Sequence, residues 1–248
     1  MHKDDVRSKK ILILGGYGTF GTRISKTLAQ LNLPIIIAGR NKTSAVSLRN
    51  IIEQQHVHAK VEIAIFDVDK SLSEQLEYLK PCVVINTCGP FQFKHYAVAE
   101  ICIAHAIHYI DLSDARNFVT QITALDAKAK ANKVAVISGA STVPGLSSAV
   151  LDHFKSQFKH INSLVYGITP GQKTARGLAT TQAVLSYLGR PIKGNSERYK
   201  MEYGWQQLYR QNYPDLGKRW MASCEIPDLD LLPAKYGIQR IQFSAGME

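Results

Sequence analysis

The 248-residue chain has no apolar run approaching the roughly 20 residues that a bilayer-spanning helix needs. Stretches such as Ile35 to Ala38 and Val134 to Ile137 are far shorter, so neither a transmembrane helix nor a membrane partner is expected. The opening Met1-His2-Lys3-Asp4-Asp5 lacks an apolar signal region and a small-residue cleavage site, which makes a cytoplasmic location the default expectation. Cysteine is sparse. Cys82, Cys88, Cys102 and Cys224 are scattered and show no Cys-x-x-Cys spacing, which argues against a zinc site or other metal centre, and reduced thiols are expected. Cys82 and Cys102 read as small buried apolar residues, whereas Cys88 lies in a loop. Concentrated basic runs are also missing. The net charge of +10 is spread evenly, with 17 Lys and Arg against 12 Asp and Glu in residues 1–150, and 13 against 8 in residues 151–248. Without a basic face or arm interleaved with aromatics, no nucleic-acid partner is expected.

What is present is an apolar fraction of 45%, ordinary for a globular chain, arranged in a regular rhythm. Short runs rich in Ile and Val recur at Lys10 to Leu14, Pro34 to Ala38, Lys60 to Phe66, Cys82 to Asn86, His108 to Leu112 and Lys133 to Ser138. They read as strands buried on both faces. Helical segments fall between them at Phe20 to Leu31, Ser44 to Gln55, Ser71 to Tyr78, His95 to Ala106 and Asn117 to Ala131. This alternation predicts an α/β fold, a doubly wound parallel sheet of the Rossmann type over residues 1–140. The rhythm breaks after Gly139 at the turn-forming Ser141-Thr142-Val143-Pro144-Gly145. A smaller α+β domain is expected over residues 141–248, with a helix from Leu146 to Phe158 and strands at Ser163 to Thr169 and Ile238 to Phe243. The last of these needs a partner to cover its edge. Residues 190–236 carry no clean period and predict loops and short strands.

Gly16-Tyr17-Gly18-Thr19-Phe20-Gly21, preceded by Gly15, follows the first strand and opens the first helix. At that place a Gly-x-Gly-x-x-Gly is a dinucleotide fingerprint. Gly16 permits the tight turn, Gly18 lets the backbone approach a pyrophosphate, and Gly21 brings helix and strand together, with Gly15, Tyr17, Thr19 and Phe20 completing the cofactor-facing turn. The second strand runs into Gly39-Arg40-Asn41-Lys42, with no carboxylate to bind a free ribose. Arg40 can grip a 2′-phosphate bidentately, Lys42 adds a point charge, and Asn41 lies between them, so NADP(H) is expected over NAD(H). Asp67 and Val68, after the third strand, either reach the adenine or cap a turn. Thr87, Cys88, Gly89 and Pro90, after the fourth, either border the nicotinamide ribose or redirect the chain. His95 and Tyr96 are candidate proton donors that read more readily as packing residues, and no catalytic residue is assigned.

Several of these segments resemble the saccharopine dehydrogenase-like NADP-binding proteins of bacteria: Ile13 to Gly21, Ile37 to Arg40, Asn86 to Gln92, His108 to Ser113 and Ser138 to Ser147. The similarity continues through Gly167 to Thr180, Tyr187 to Pro191 and Ile226 to Leu229, and so covers nearly the whole chain. The resemblance implies an NADP-binding Rossmann domain followed by an α+β domain that closes over the nicotinamide and often pairs subunits, so a homodimer is an expectation. Relatives usually continue past the point where this chain ends, so the closing domain is expected to be incomplete. The implied activity is hydride transfer between NADP(H) and a small substrate, and the alternative is a non-catalytic NADP(H) sensor or scaffold. Ser141 to Gly145 and the basic segment containing Lys173 and Arg176 are expected to border one cleft suited to an anionic substrate.

Overall fold

A computed structural model describes residues 10–92, 94–171, 177–193 and 201–247. Lys173 and Arg176, proposed above as substrate contacts, lie outside the described residues. The described residues form two compact units. One holds the chain up to Gly89 together with His95–Leu112 and Ile122–Ser138; the other holds Pro90–Lys94, Ser113–Gln121 and the chain from Gly139 onward.

The first unit contains strands β1 (Ile11–Leu14), β2 (Ile35–Gly39), β3 (Val61–Ile65), β4 (Val83–Asn86), β5 (His108–Asp111) and β6 (Val136–Ile137). All pair in parallel, in the order β3-β2-β1-β4-β5-β6. That is the dinucleotide-binding order, in which β1 and β4 part company toward opposite edges. Helices α1 (Thr19–Gln30), α2 (Lys42–Gln55), α3 (Val68–Leu79) and α4 (Ala97–Ala104) follow the first four strands. The alternation of β1 shows why both faces need cover: Ile11 and Ile13 pack with Ala29 of α1 and Ala45, Leu48 and Ile52 of α2. Leu12 and Leu14 pack on the other side with Leu72 and Leu76 of α3 and Ala99, Cys102 and Ile103 of α4. The expected doubly wound sheet is therefore what forms.

The last predicted crossover helix differs. Asn117 to Ala131 is not a single helix but α5 (Arg116–Thr120), a 3-10 turn at Ile122–Leu125 and α6 (Asp126–Ala131). The reason lies in burial: Phe118 belongs with the second unit, whereas Leu125 and Ala129 join the core of the first.

The second unit also holds α7 (Ser147–Phe154), β7 (Ser163–Ile168), α8 (Leu178–Leu185), β8 (Pro191–Ile192), β9 (Glu202–Tyr203), β10 (Tyr209–Tyr213), β11 (Gly217–Ser223), α9 (Asp228–Tyr236) and β12 (Arg240–Met247). Its main sheet is mixed, in the order β10-β11-β12-β7, with β12 parallel to β7 and antiparallel to β11. The late strand, whose edge needed covering, is thus paired on both sides. Its core gathers Val143, Ile192, Cys224, Ile226, Leu229, Phe243 and Ala245.

Candidate functional site

The site begins where β1 ends. Gly15 takes a φ of 71°, a left-handed conformation that glycine enters without a Cβ clash. The Gly18 N–H donates to the Gly15 carbonyl at 2.8 Å and closes the turn. Buried Ser25, on α1, donates its hydroxyl to the Gly16 carbonyl at 3.0 Å, which fixes the helix against the turn. Gly21 makes the closest approach: a Cβ there would collide with the Gly15 carbonyl oxygen and lie 2.8 Å from Gly16 Cα. Replacing Gly21 with Ala is therefore expected to destabilise the protein by about 1–3 kcal/mol, the scale of overpacking against rigid neighbours, as a lowered Tm will show.

α1 starts on Gly18 with no side-chain cap and no acidic residue in its first turn. Its free N–H groups and the positive end of its dipole are left for an anion. Gly18, Thr19 and Phe20 are exposed, and a Cβ on Gly18 would meet only the Gly15 carbonyl oxygen, at 3.1 Å. A ligand can approach this backbone closely.

The end of β2 is built onto the same turn. Tyr17, half-buried, packs against the core beside Ile37 and lies over Gly39, where a Cβ would stand 2.6 Å from the tyrosine ring. The Asn41 N–H donates to the Tyr17 hydroxyl at 2.6 Å, while Asn41 Oδ1 accepts from the Ser44 N–H at 3.0 Å and caps α2. Arg40 and Lys42 flank this residue and are exposed. Among the described residues neither forms an ion pair, so no described acid neutralises their charges.

β4 closes the crevice beside β1. The Thr87 hydroxyl donates to the carbonyls of Leu14 at 2.7 Å and Gly15 at 3.1 Å, and Thr87 N–H also reaches Leu14. Thr87 thus holds the two switch-point strands together. The Cys88 N–H donates to Asn86 Oδ1 at 3.0 Å, and its half-buried thiol faces Gly15, where a Cβ would lie 3.1 Å from Sγ. Gly89 ends this stretch of the first unit, and Pro90 begins the segment that belongs to the second. After β3, Asp67 caps α3 by accepting the Asp69 N–H at 3.2 Å, while Val68 packs against the core.

A polar network at the carboxyl ends of β4, β5 and β6 escaped sequence reasoning. Asp111, fully buried, accepts a hydrogen bond from Ser138 at 2.8 Å, and Asn86 Nδ2 donates to the Tyr109 hydroxyl at 3.2 Å. Burial first, and then the Asp111 charge, push the Tyr109 phenol well above its ordinary value. The same two causes raise Tyr96, the N-cap of α4. The His-Tyr-Ile-Asp alternation carried the signal, since it puts Tyr109 and Asp111 on one face of β5. His95 is exposed.

The second unit has a buried cluster of its own. The fully buried Asp228 accepts hydrogen bonds from Ser147 at 2.5 Å and from the Tyr166 hydroxyl. Burial raises the Asp228 pKa against the opposing effect of these two donors. Ser147 and Tyr166 also line an apolar cavity of about 430 Å³ that includes Thr142 and Val143, from the turn expected to border a cleft. Among the described residues no cluster of His, Cys, Asp and Glu could hold a metal, and no helix is long and apolar enough to cross a membrane.

The family model of the saccharopine dehydrogenase NADP binding domain matches residues 11–137. No curated protein gives a match. Among solved structures, the WlbA (WbpB) dehydrogenase of Thermus thermophilus, in complex with NAD and alpha-ketoglutarate, is 11% identical over 97% of this chain and 74% of that one, with a TM-score of 0.48. FolM alternative dihydrofolate reductase 1 of Brucella canis, complexed with NADP, is 16% identical over 54% of this chain and 72% of that one, with a TM-score of 0.40. Likeness at this level carries no argument about chemistry. The residues themselves fit the cofactor: a turn that a side chain at Gly21 would disrupt, an uncapped helix N-terminus and two unneutralised cations at the end of β2. With a family match over about half of its length, the chain belongs to the saccharopine dehydrogenase NADP binding domain family, and its cofactor is NADP.

Proposed function

We propose that the protein is an NADP-dependent oxidoreductase that acts on a small, anionic substrate and works as a homodimer. The bound cofactor supplies the hydride chemistry. The chain's own residues bind and orient it: the uncapped start of α1 at Gly18 takes the pyrophosphate, and Arg40 and Lys42 take the 2′-phosphate. Asp67 and Val68 stand at the adenine end, and Thr87, Cys88, Gly89 and Pro90 at the nicotinamide end. The observation that carries this reading is the pair of exposed, unneutralised cations, Arg40 and Lys42, beside an uncapped helix start with no acid in its first turn. A carboxylate at the end of β2 would repel a phosphate; this chain has none between Ile35 and Asn50.

NADPH is expected to bind more tightly than NADH. Arg40→Ala should weaken NADPH by about 1–3 kcal/mol, the range of a charged hydrogen-bonded contact, and leave NADH nearly unchanged. Fluorescence titration of both cofactors reads this directly, and a uniform loss would make Arg40 a structural residue. Catalysis is tested separately by following NADPH oxidation against carbonyl compounds, and against oxo acids offered with amines. A protein that binds NADPH tightly and turns over none of them is a sensor or scaffold, not an oxidoreductase. Sedimentation tests the dimer.

A further inference from the structure

Tyr17 occupies the middle of the glycine turn, between Gly16 and Gly18. Its ring crosses to β2 and lies on Gly39, and its hydroxyl stands 2.6 Å from the Asn41 N–H, between Arg40 and Lys42 in sequence. Both partners are specified. Any Cβ on Gly39 would press on the ring, and the ring is anchored against the core beside Ile37. A tyrosine hydroxyl has one proton to give and lone pairs to accept. Here it accepts from Asn41, and among the described residues its own proton has no acceptor.

From this arrangement, and resting on the NADP-dependent reading above, we propose that Tyr17 is a specificity-determining residue that donates its hydroxyl proton to the cofactor's 2′-phosphate. The Asn41 N–H fixes the oxygen as an acceptor, which leaves the proton to face outward at the loop that carries both cations. A donor to a phosphate oxygen makes a charge-assisted bond, roughly twice as strong as the neutral bond the same hydroxyl would make to a ribose hydroxyl. Tyr17 therefore discriminates between the two cofactors and does not merely shape the turn.

The test is a titration of wild type, Tyr17→Phe, Arg40→Ala and the double variant with NADPH, NADH, adenosine 2′,5′-bisphosphate and 5′-AMP. Phenylalanine keeps the ring on Gly39 and removes only the hydroxyl, so folding should be preserved, as circular dichroism will check. Tyr17→Phe is expected to weaken NADPH and the 2′,5′-bisphosphate by roughly tenfold, while NADH and 5′-AMP change by no more than about threefold. The double variant should be weaker for NADPH than Arg40→Ala alone, because the two groups contact the phosphate separately. Equal losses for all four ligands would make Tyr17 a support of the turn. Unchanged NADPH affinity, or a double variant no weaker than Arg40→Ala, would also overturn the proposal. If wild type itself fails to prefer the 2′-phosphorylated ligands, the reading of Arg40 and Lys42 fails first, which is a distinct result.

Discussion

Gly18→Val is expected to leave a folded protein, with a Tm within a few degrees of wild type, that no longer binds NADPH measurably. Gly18 has φ −71° and ψ 179°, extended backbone open to any residue, and an added Cβ would meet only the Gly15 carbonyl oxygen at 3.1 Å. That contact is tight, but the Gly15 carbonyl need yield only a few tenths of an ångström to admit the first carbon of the side chain. The ligand has no such latitude, because the branches of valine would stand over the first N–H groups of α1, where the pyrophosphate must come close to the backbone. The contrast with Gly21 sharpens the test. Both belong to one motif, yet Gly21 is enclosed by the protein's own backbone and Gly18 is exposed with a single close contact, so substitution at Gly21 should appear mainly in stability and substitution at Gly18 mainly in binding. Thermal denaturation and isothermal titration of the two variants separate these outcomes. Tight NADPH binding by folded Gly18→Val would reduce the fingerprint to a turn.

The sheet was legible in the sequence because its strands are covered on both faces. Ile35, Ile36 and Ile37 of β2 are all buried, and such continuous apolar runs announce themselves without periodicity. The helix from Asn117 to Ala131 was misjudged for the converse reason. Its apolar residues divide between the two units, with Leu125 and Ala129 in the core of the first and Phe118 in the second, and a single sequence gives no sign of which unit each one joins. The strands β10 and β11 were hidden by their polar faces: Arg210, Gln211 and Asn212 are exposed in the middle of β10, so no apolar alternation marks it.

In the cofactor site, the glycines and the missing carboxylate could be read directly, since each acts through its own backbone or charge. The pairing of Tyr17 with Gly39, and the bonds of Thr87 to the end of β1, could not. They depend on how side chains from separate strands meet once the sheet has formed. The same holds for Asp111, whose partner Ser138 lies on the far side of a complete helical crossover.

A buried guanidinium that ties the second unit together was equally invisible, and Arg116→Met is expected to destabilise that unit by about 2–4 kcal/mol, the range for breaking a desolvated, hydrogen-bonded charge pair. Arg116, 9% exposed, forks onto Asp230 with bonds of 2.6 and 2.5 Å, lies 3.4 Å from Glu225 and donates to the Lys193 carbonyl at 2.8 Å. Burial alone would discourage its charge, but the hydrogen bonds and charges of Asp230 and Glu225 outweigh that and raise its pKa. These bonds tie α5 to α9 and to the segments that carry Lys193 and Glu225, so one guanidinium joins parts of the chain up to 114 residues apart. Methionine keeps most of the buried stem and removes the fork. The effect should fall short of that for a fully enclosed pair, because the Asp230 side chain is 40% exposed and can rehydrate, and because Asp230 also gains from its place in the first turn of α9. Arg116→Lys should recover little, since an ammonium cannot make the two parallel bonds to one carboxylate. Urea denaturation of wild type and both variants reads the difference. Stability unchanged in Arg116→Met would mean that desolvation of the guanidinium cancels the gain from its three partners.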